Sequence, residues 1–404
     1  MNEGCGTANL AAMDVTDSSA NLVYTAGTDA TALEMEYRKV GNETFNTLPT
    51  NVSPLHLEGL TYNTEYEARI RSLCDTSSSE WKTVTFTTRP KLVDHLYVTT
   101  TGTGDGSSWE NATNDLNWAV STAGLVRQEF DVEPVVWVAG GTYYGDGISE
   151  NAFTMAEGVN VYGGFEGNEP ADYDLSQRDL TAHATILDGQ NSQRVLYQTE
   201  NYTITTIWDG FTIQHGNASG HGGGAYLKQM SNLYNCQIFN NVSSNYGGGV
   251  YVNGSYNSNS IIDHCTIADN NSEYAGGVYA YYSQIQNCTI TRNTSYYYGG
   301  LYANVCRVDN CEIIYNTSSY NGGGMYSYFS KVDNCVITHN TCTFGNGGGV
   351  YVYGYYSNSG DVNNCLIAHN MASYGGGVYV YGDYSRIENS TVVNNQSSYS
   401  VGGV

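Results

Sequence analysis

The chain has 404 residues and a formal net charge of −24, with 15 lysine and arginine residues against 39 aspartate and glutamate residues. Nucleic-acid readers need clustered cations, so this composition argues against that class of partner. No apolar run approaches the length needed to cross a membrane. The 47 glycines and 37 tyrosines are typical of a secreted surface protein, and the length allows two or three structural units.

Residues 1–90 have the pattern of a small β-sandwich. Short alternating runs bounded by turn residues predict strands at residues 20–25, 33–39, 55–57, 65–73 and 83–88. The run GLTYNTEY at residues 59–66 resembles the signature of the fibronectin type III family, in which leucine and threonine precede a corner tyrosine. Two residues depart from that pattern, since Tyr62 stands where proline is usual and Tyr24 where tryptophan is usual.

The fibronectin resemblance implies roles for one tyrosine and two cysteines. Tyr66 would be the corner tyrosine, with its hydroxyl bonded to upstream backbone. Cys5 precedes the first strand and Cys74 ends the strand that carries Tyr66. A disulfide between them would contribute up to about 4 kcal/mol and implies an oxidising compartment. We interpret the domain as a spacer, with a binding module as the alternative.

Residues 91–208 are predicted to form an N-terminal cap and the first, irregular coils of a larger β-structure. Apolar residues at helical spacing follow Asp115 and predict a short amphipathic helix with Asp115 as its cap; they are Leu116, Ala119, Val120 and Ala123. The helix would cover the open first coil. Strands are predicted at residues 96–98, 135–139, 159–162, 185–187 and 209–213.

The same segment is the most acidic part of the chain, with 17 Asp and Glu against 4 Lys and Arg. Calcium takes carboxylate and backbone oxygens in loops, where Asp105, Asp172 and Asp174 lie. No loop matches the EF-hand or nonapeptide calcium patterns, so a solvated surface that resists aggregation is favoured. We therefore expect no cofactor, with Ca²⁺ as the alternative.

Residues 209–404 repeat one motif about seven times. A cysteine, replaced by serine in the last copy, is followed five residues later by asparagine, then by Gly-Gly, and then by tyrosine between two small or aliphatic residues. Successive cysteines lie 29, 23, 23, 24 and 30 residues apart, and a fixed period of this size is typical of a solenoid. Apolar residues alternate within each copy, which indicates strands.

The repeat predicts an all-β fold, a parallel β-helix with three short strands and three turns per coil. Stacked coils lie about 4.8 Å apart, so identical residues form columns along the axis. The repeat asparagines are expected to form a ladder of side-chain amides and to tolerate left-handed turns. Six cysteines share one inward position, where we expect them to pack as small buried hydrophobes; they are Cys236, Cys265, Cys288, Cys311, Cys335 and Cys365. A metal site is disfavoured because a column of sulfurs is not a tetrahedron.

Several glycine-rich motifs carry a resemblance that covers residues 95–404. GSSW (106–109), VWVAGGTY (136–143), YGGF (162–165) and DGFTI (209–213) resemble secreted right-handed β-helix proteins of Bacteroidetes-type bacteria. The later GGVY and IxxN repeats are similar to polymorphic outer-membrane adhesins and autotransporters, and the pectin-lyase-like enzymes share the fold. The resemblance implies a right-handed, single-stranded β-helix on an exported protein of the bacterial cell surface. No signal peptide begins the chain and it ends inside a repeat, so we expect a monomer that is part of a longer polypeptide truncated at its C-terminus.

Residues for catalysis are sparse in the repeats. Asp263-His264 resembles a lyase strand motif but is one copy of the chain's own repeat. Lyases need a basic residue beside calcium-binding acids, and the repeat cations lie on scattered copies; they are Lys228, Arg292, Arg307, Lys331 and Arg386. His339 and His369 share one repeat position, which favours a turn ladder over a catalytic pair. No catalytic residue is predicted, with a polysaccharide lyase or glycoside hydrolase as the alternative function.

Tyrosines are the most abundant candidates for binding. One complete column faces outward by alternation, namely Tyr226, Tyr251, Tyr279, Tyr302, Tyr326, Tyr351 and Tyr379. A second, partial column lies two residues on, namely Tyr281, Tyr328, Tyr353 and Tyr381. Such rings either stack on one another or form a platform for sugar rings.

Two long loops favour binding over stacking alone. Residues 253–260 and 353–360 are rich in Tyr, Ser, Asn and Gly, project from one edge, and bracket a gap of about 19 Å. We predict that a glycan or a cell-surface protein binds there without catalysis, through Tyr279, Tyr281, Tyr302, Tyr326, Tyr328, Tyr256, Tyr355 and Tyr356. A purely structural stalk is the remaining alternative.

Overall fold

The protein was analysed as a computed structural model, which describes residues 5–256, 259–355 and 360–404. The chain divides into two compact units. One extends to Val93 and includes Gln128–Asp131, and the other comprises Asp94–Arg127 and Val132–Val404. Among the described residues, no helix is long and apolar enough to span a membrane.

The first unit, from Cys5 onward, is a β-sandwich that resembles fibronectin type III, as predicted. Sheet A is antiparallel, in the spatial order Asn9–Met13, Ser19–Thr25 and Leu55–Glu58. Sheet B is antiparallel, in the spatial order Asn46–Leu48, Ala32–Lys39, Glu65–Leu73 and Lys82–Thr87. Alternate residues of both sheets meet in the core, where Leu22, Met35 and Ile70 are fully buried.

The fibronectin-like features lie where the sequence places them. The hydroxyl of Tyr66 accepts a hydrogen bond of 2.9 Å from the backbone N–H of Thr61, which is the contact expected of a corner tyrosine. Cys5 and Cys74 form a disulfide, with their Cα atoms 5.8 Å apart. The bond ties the segment before the first strand to the end of the strand that carries Tyr66.

The second unit begins with a cap. The predicted helix spans Leu116–Phe130, and its predicted inward residues Leu116, Ala119, Val120 and Ala123 are all buried. Asp115 caps it by accepting a 2.9 Å hydrogen bond from the N–H of Trp118. Asn117 then fixes the helix to an early coil, since its amide donates to the carbonyl of Ala152 and accepts from the N–H of Thr154. A short 3₁₀ helix follows at Leu175–Gln177.

Within residues 94–256, 259–355 and 360–404, the strands form four parallel sheets that build a β-solenoid of about ten coils. Sheet C contains His95–Val98, Val135–Ala139, Asn160–Phe165, Thr206–Asp209, Ser231–Tyr234, Ser260–Asp263, Ser283–Gln286, Arg307–Asp309, Lys331–Asp333, Asp361–Asn363 and Arg386–Glu388. Sheet D contains Gly141–Tyr144, Thr185–Asp188, Phe211–Gln214, Gln237–Phe239, Thr266–Ala268, Thr289–Thr291, Glu312–Ile314, Val336–Thr338, Leu366–Ala368 and Thr391–Val393.

The other two sheets of the solenoid flank the turns that contain the repeat's glycines, and sheet E carries the complete tyrosine column. Sheet E contains Asn151–Thr154, Arg194–Tyr197, Ala225–Leu227, Val250–Asn253, Val278–Tyr281, Leu301–Asn304, Met325–Tyr328, Val350–Tyr353 and Val378–Tyr381. Sheet F contains Asn217–Ala218, Val242–Ser243, Asn271–Tyr274, Thr294–Tyr297, Thr317–Tyr320, Thr341–Cys342, Met371–Ala372 and Gln396–Ser397. A regular coil therefore has four short strands rather than the three predicted. The sequence did not indicate the fourth because sheet F strands have only two to four residues and show no apolar alternation.

The repeat asparagines form the predicted ladder inside the solenoid. The amide nitrogen of Asn316 donates to the carbonyl of Ile290 at 2.8 Å and to the amide oxygen of Asn340 at 3.1 Å. Its own amide oxygen accepts from the backbone and side-chain nitrogens of Asn293, both at 3.0 Å. The ladder residues themselves do not adopt the left-handed turn geometry predicted for the repeat asparagines; positive φ falls on the residue before them, as at Arg292 with φ 54°. The asparagines that precede repeat cysteines do adopt it, as at Asn310 with φ 53°.

The cysteine column packs as predicted. All six column cysteines are buried and unpaired, and so are Cys306 and Cys342. Each column thiol lies near backbone carbonyls; for example, the Sγ of Cys288 donates to the carbonyl of Gln286 at 3.0 Å. Burial raises the pKa of the Cys265 thiol and raises that of Cys306 to about 12. Such thiols behave as small apolar groups.

Candidate functional site

The complete tyrosine column lies on the outer face of sheet E. Val278 and Ala280 flank Tyr279 and are fully buried on the inside, so Tyr279 points away from the solenoid interior. Neighbouring rings stack along the axis. The ring centroids of Tyr279 and Tyr302 are 4.2 Å apart and those of Tyr326 and Tyr351 are 4.5 Å apart, with nearly parallel planes.

These outward rings are nevertheless covered, which corrects the expectation of an open platform. Tyr279 is 6% exposed and Tyr302 is 8% exposed. The cover comes from the turns between sheets F and E. There the ring centroid of Tyr298 lies 4.5 Å from that of Tyr326 and 5.0 Å from that of Tyr302. Burial raises the pKa of Tyr302 and, with the neighbouring Tyr379, that of Tyr351 to about 12. At Tyr279 and Tyr302 the column is therefore an aromatic ladder covered by a second layer of tyrosines.

The second column is more accessible. Tyr281 and Tyr328 are half-buried, as is Tyr326 of the complete column. Tyr328 stacks on Tyr353 at 4.6 Å, and the hydroxyl of Tyr281 lies 3.0 Å from that of Tyr279. Part of each of these rings is open to solvent at the edge of sheet E.

The two long loops supply the remaining predicted ligand residues. Tyr256 is 80% exposed and Tyr355 is 42% exposed. Tyr356 lies outside the described residues, so its predicted role stays a prediction. Tyr256 lies 6.4 Å from Tyr282, edge to face.

A third aromatic row, absent from the sequence prediction, runs along the edge of sheet F. We call it the aromatic rim; its members are Tyr274, Tyr297, Tyr320, Phe344, Tyr374 and Tyr399. Each ring follows a ladder asparagine by four residues, and that constant spacing is the signal that could have identified the row. Register confirms the alignment of the first three rings, since Tyr274 pairs with Tyr297 and Tyr297 pairs with Tyr320, whereas Tyr374 pairs with Asn346.

A charged groove lies on the outer face of sheet C. Arg307, Lys331 and Arg386 share one row with Asp361, in register through successive coils. The sequence had suggested that the cations were scattered. A parallel row carries Asp309, Asp333, Asn363 and Glu388. The groove between coils has a volume of about 230 Å³ and is lined by Lys331, Asp333, Asp361, Val362, Asn363, Arg386 and Glu388.

The histidines and loop acids considered for chemistry have structural contacts. The Nδ1 of His264 lies 2.7 Å from the carboxylate of Asp263. His339 and His369 stack at 5.0 Å and both occupy left-handed turn positions. Asp105 and Asp174 accept backbone N–H groups of their own turns. In the described part of the chain, no three His, Cys, Asp or Glu residues are grouped to hold a metal.

Comparison with known proteins identifies the solenoid. A family model described as "Right handed beta helix region" matches residues 196–359, which is less than half of the chain. The match and the stacked parallel sheets confirm the prediction of a right-handed parallel β-helix. That fold is consistent with pectin-lyase-like proteins. None of the curated proteins matches the chain.

Solved structures similar to this chain each cover about a fifth of it. A computationally redesigned β-sandwich protein is 22% identical, with coverage of 20% of this chain and 90% of that chain and a TM-score of 0.19. A myokine structure is 16% identical, with coverage of 22% and 99% and a TM-score of 0.19. The fn3 domain of the human collagen α-1(XX) chain is 20% identical, with coverage of 22% and 91% and a TM-score of 0.20.

Proposed function

We propose that this chain is a non-catalytic, adhesin-like protein of the bacterial cell surface that binds glycans through the aromatic outer surface of its β-helix. The aromatic rim is the observation that carries the proposal. Its exposed rings include Phe344 at 66%, Tyr374 at 45% and Tyr399 at 75%. Apolar faces of sugar rings pack on aromatic side chains, and a tyrosine hydroxyl adds a hydrogen bond.

Repetition supports binding at a surface rather than in a pocket. A stacked aromatic contact contributes on the order of 1 kcal/mol, so one ring binds weakly. Several rings in a row, displayed on many copies at a surface, gain affinity by multivalency. The Cys5–Cys74 disulfide supports export, because such bonds persist in oxidising compartments.

The proposal is tested with the full chain on a glycan array, together with an assay for reaction products on the polysaccharides it binds. We expect binding without new reducing ends and without unsaturated uronides. Release of either product from a bound polysaccharide would contradict a non-catalytic function. Binding to no glycan would also contradict the proposal.

The charged groove on sheet C favours one second candidate, a polysaccharide lyase or glycoside hydrolase. In the described part of the chain, Lys331 and Arg386 form no ion pair, although Asp333 and Glu388 line the same groove. A lyase would use one of these two side chains, in its neutral form, as the base that takes the proton next to a uronate carboxylate, while the bond from carbon to the glycosidic oxygen breaks and water protonates the released oxygen. If the product assay is positive, Lys331→Met and Arg386→Met should abolish product release, whereas Lys228→Met, on another face, should not.

A further inference from the structure

The aromatic rim places one ring on each successive coil. The centroids of Tyr274 and Tyr297 are 4.9 Å apart, those of Tyr297 and Tyr320 are 5.7 Å apart, and those of Tyr320 and Phe344 are 6.1 Å apart. The centroids of Tyr374 and Tyr399, on the next two coils, are 5.7 Å apart, and Tyr374 is in register with Asn346 rather than with Phe344. Because coils rise by about 4.8 Å, the rim is an aromatic strip along the β-helix axis from Tyr274 to Phe344, followed by the pair Tyr374 and Tyr399.

Exposure distinguishes three of the six rim rings from the tyrosine column beside them, while the other three, Tyr274, Tyr297 and Tyr320, are half-buried. Tyr279 and Tyr302 are at most 8% exposed, whereas Phe344 is 66% exposed and Tyr399 is 75% exposed. A ligand can therefore contact the rim without displacing a side chain. It cannot reach Tyr302 in the same way, because the ring of Tyr298 covers that of Tyr302.

The surroundings of the rim are almost without charge. The turns at residues 242–246, 271–275, 294–298, 317–321, 341–346, 371–374 and 396–399 carry one ionised side chain, Glu273. Their other polar groups are hydroxyls and amides, such as Asn321 and Asn346. The protein as a whole carries a formal charge of −24. A polyanion would meet repulsion with no cation to offset it, whereas a neutral ligand would not.

We propose that the aromatic rim is the ligand site, and that it takes an uncharged polysaccharide whose chain lies along the β-helix axis. The inference rests on the proposed function and narrows it to one row of residues and one ligand class. An extended chain suits the rim because the rings form a strip rather than a pocket. Pyranose faces would lie on successive rings, and the neighbouring hydroxyls and amides would bond the sugar hydroxyls.

The test compares the full chain with two double variants by affinity electrophoresis in mixed-linkage β-glucan, galactomannan and polygalacturonate. Phe344→Ala with Tyr374→Ala removes two exposed rim rings. The matched control, Tyr315→Ala with Tyr144→Ala, removes two rings that are 54% and 58% exposed outside the rim. Thermal unfolding of each variant verifies that the fold is kept.

We expect at least one neutral polysaccharide to retard the unmodified chain, with affinity at least tenfold weaker in the rim variant and changed less than twofold in the control. Equal retardation of the rim variant overturns the rim as the site, while the proposed glycan binding stands. Retardation by polygalacturonate alone overturns the neutral ligand class. Retardation by none of the three overturns an uncharged polysaccharide as the ligand of the rim, and the glycan array then decides whether the proposed glycan binding stands.

Discussion

At the scale of single residues, the asparagine ladder shows how buried polar groups shape this fold. Asn293, Asn316 and Asn340 are fully buried, and each amide makes hydrogen bonds to the coils on both sides. A buried amide without partners would destabilise the fold, but a fully bonded one fixes the register of neighbouring coils. The ladder therefore determines where each coil turns.

Replacement of one ladder residue tests this role. Asn316→Ala leaves the carbonyl of Ile290 and the backbone N–H of Asn293 without their bonds. We expect the free energy of unfolding to fall by about 3 kcal/mol, because each buried unsatisfied group costs about 1–3 kcal/mol. Urea denaturation followed by circular dichroism measures the change. The control is Asn310→Gly, at an exposed left-handed position with φ 53°, where we expect a change below about 1 kcal/mol; similar losses in both variants would contradict the role assigned to the ladder.

The cysteines give a prediction about reactivity. Eight thiols are free and buried, and Cys5 and Cys74 are paired. We expect a thiol reagent to modify none of them rapidly in the folded chain, and to count eight in denaturant without reductant. Burial is the reason, since the reagent needs both access and a thiolate. A count of two or fewer in denaturant would show that the column is crosslinked.

At the scale of secondary structure elements, alternation predicted the direction of side chains but not their cover. Val278-Tyr279-Ala280 alone shows that Tyr279 faces away from the interior. Tyr298 lies in a turn, outside the alternating strand pattern. Its ring covers that of Tyr302 because Tyr298 adopts a left-handed conformation with φ 62°. The cover depends on turn geometry in three dimensions, which periodicity does not contain.

This cover changes the expected effect of mutations in sheet E. The outward direction of Tyr302 alone would suggest that this side chain can be replaced without harm to the fold. Tyr302 instead stacks on Tyr279, and its hydroxyl accepts a hydrogen bond from the amide of Asn304 at 3.1 Å. Tyr302→Ala should lower the free energy of unfolding by about 3 kcal/mol, as for buried aromatic residues. Tyr296→Ala, at a ring that is 48% exposed, should lower it by less than about 1 kcal/mol, and equal effects in urea denaturation would contradict the burial argument.

At the scale of the whole molecule, the sequence predicted the architecture well because each coil contacts chiefly its neighbours. A period near 24 residues, an inward cysteine and a ladder asparagine sufficed to predict stacked parallel strands. The candidate site was harder, because the rim forms only when short sheet F strands such as Thr317–Tyr320 bring one residue per coil into line. In the sequence, the rim residues are interspersed with other tyrosines, so that the row is not recognisable from composition alone.

Buried ionisable groups throughout the solenoid give a prediction for its pH dependence. Burial raises the pKa of Tyr351 to about 12 and that of Cys306 to about 12, from ordinary values near 10 and 8.5. The folded state holds these protons more tightly than the unfolded state. Their contribution to stability is therefore complete below about pH 8.5 and is lost as the pH rises toward about 12. Thermal unfolding midpoints should be level from pH 7 to 8 and fall steeply above about pH 10.

One substitution distinguishes ionisation of the buried tyrosine column from other causes of unfolding at alkaline pH. Tyr351→Phe keeps the ring in its stack, 4.5 Å from Tyr326, but removes the hydroxyl that must ionise. Its unfolding midpoint should therefore fall less than that of the unmodified chain between about pH 10 and 12. Tyr399→Phe, at a ring that is 75% exposed, is the matched control and should follow the unmodified chain. If the unfolding midpoints of both variants fall as steeply as that of the unmodified chain, ionisation of the buried column does not cause the loss of stability. Repulsion among the acidic surface groups then becomes the better explanation.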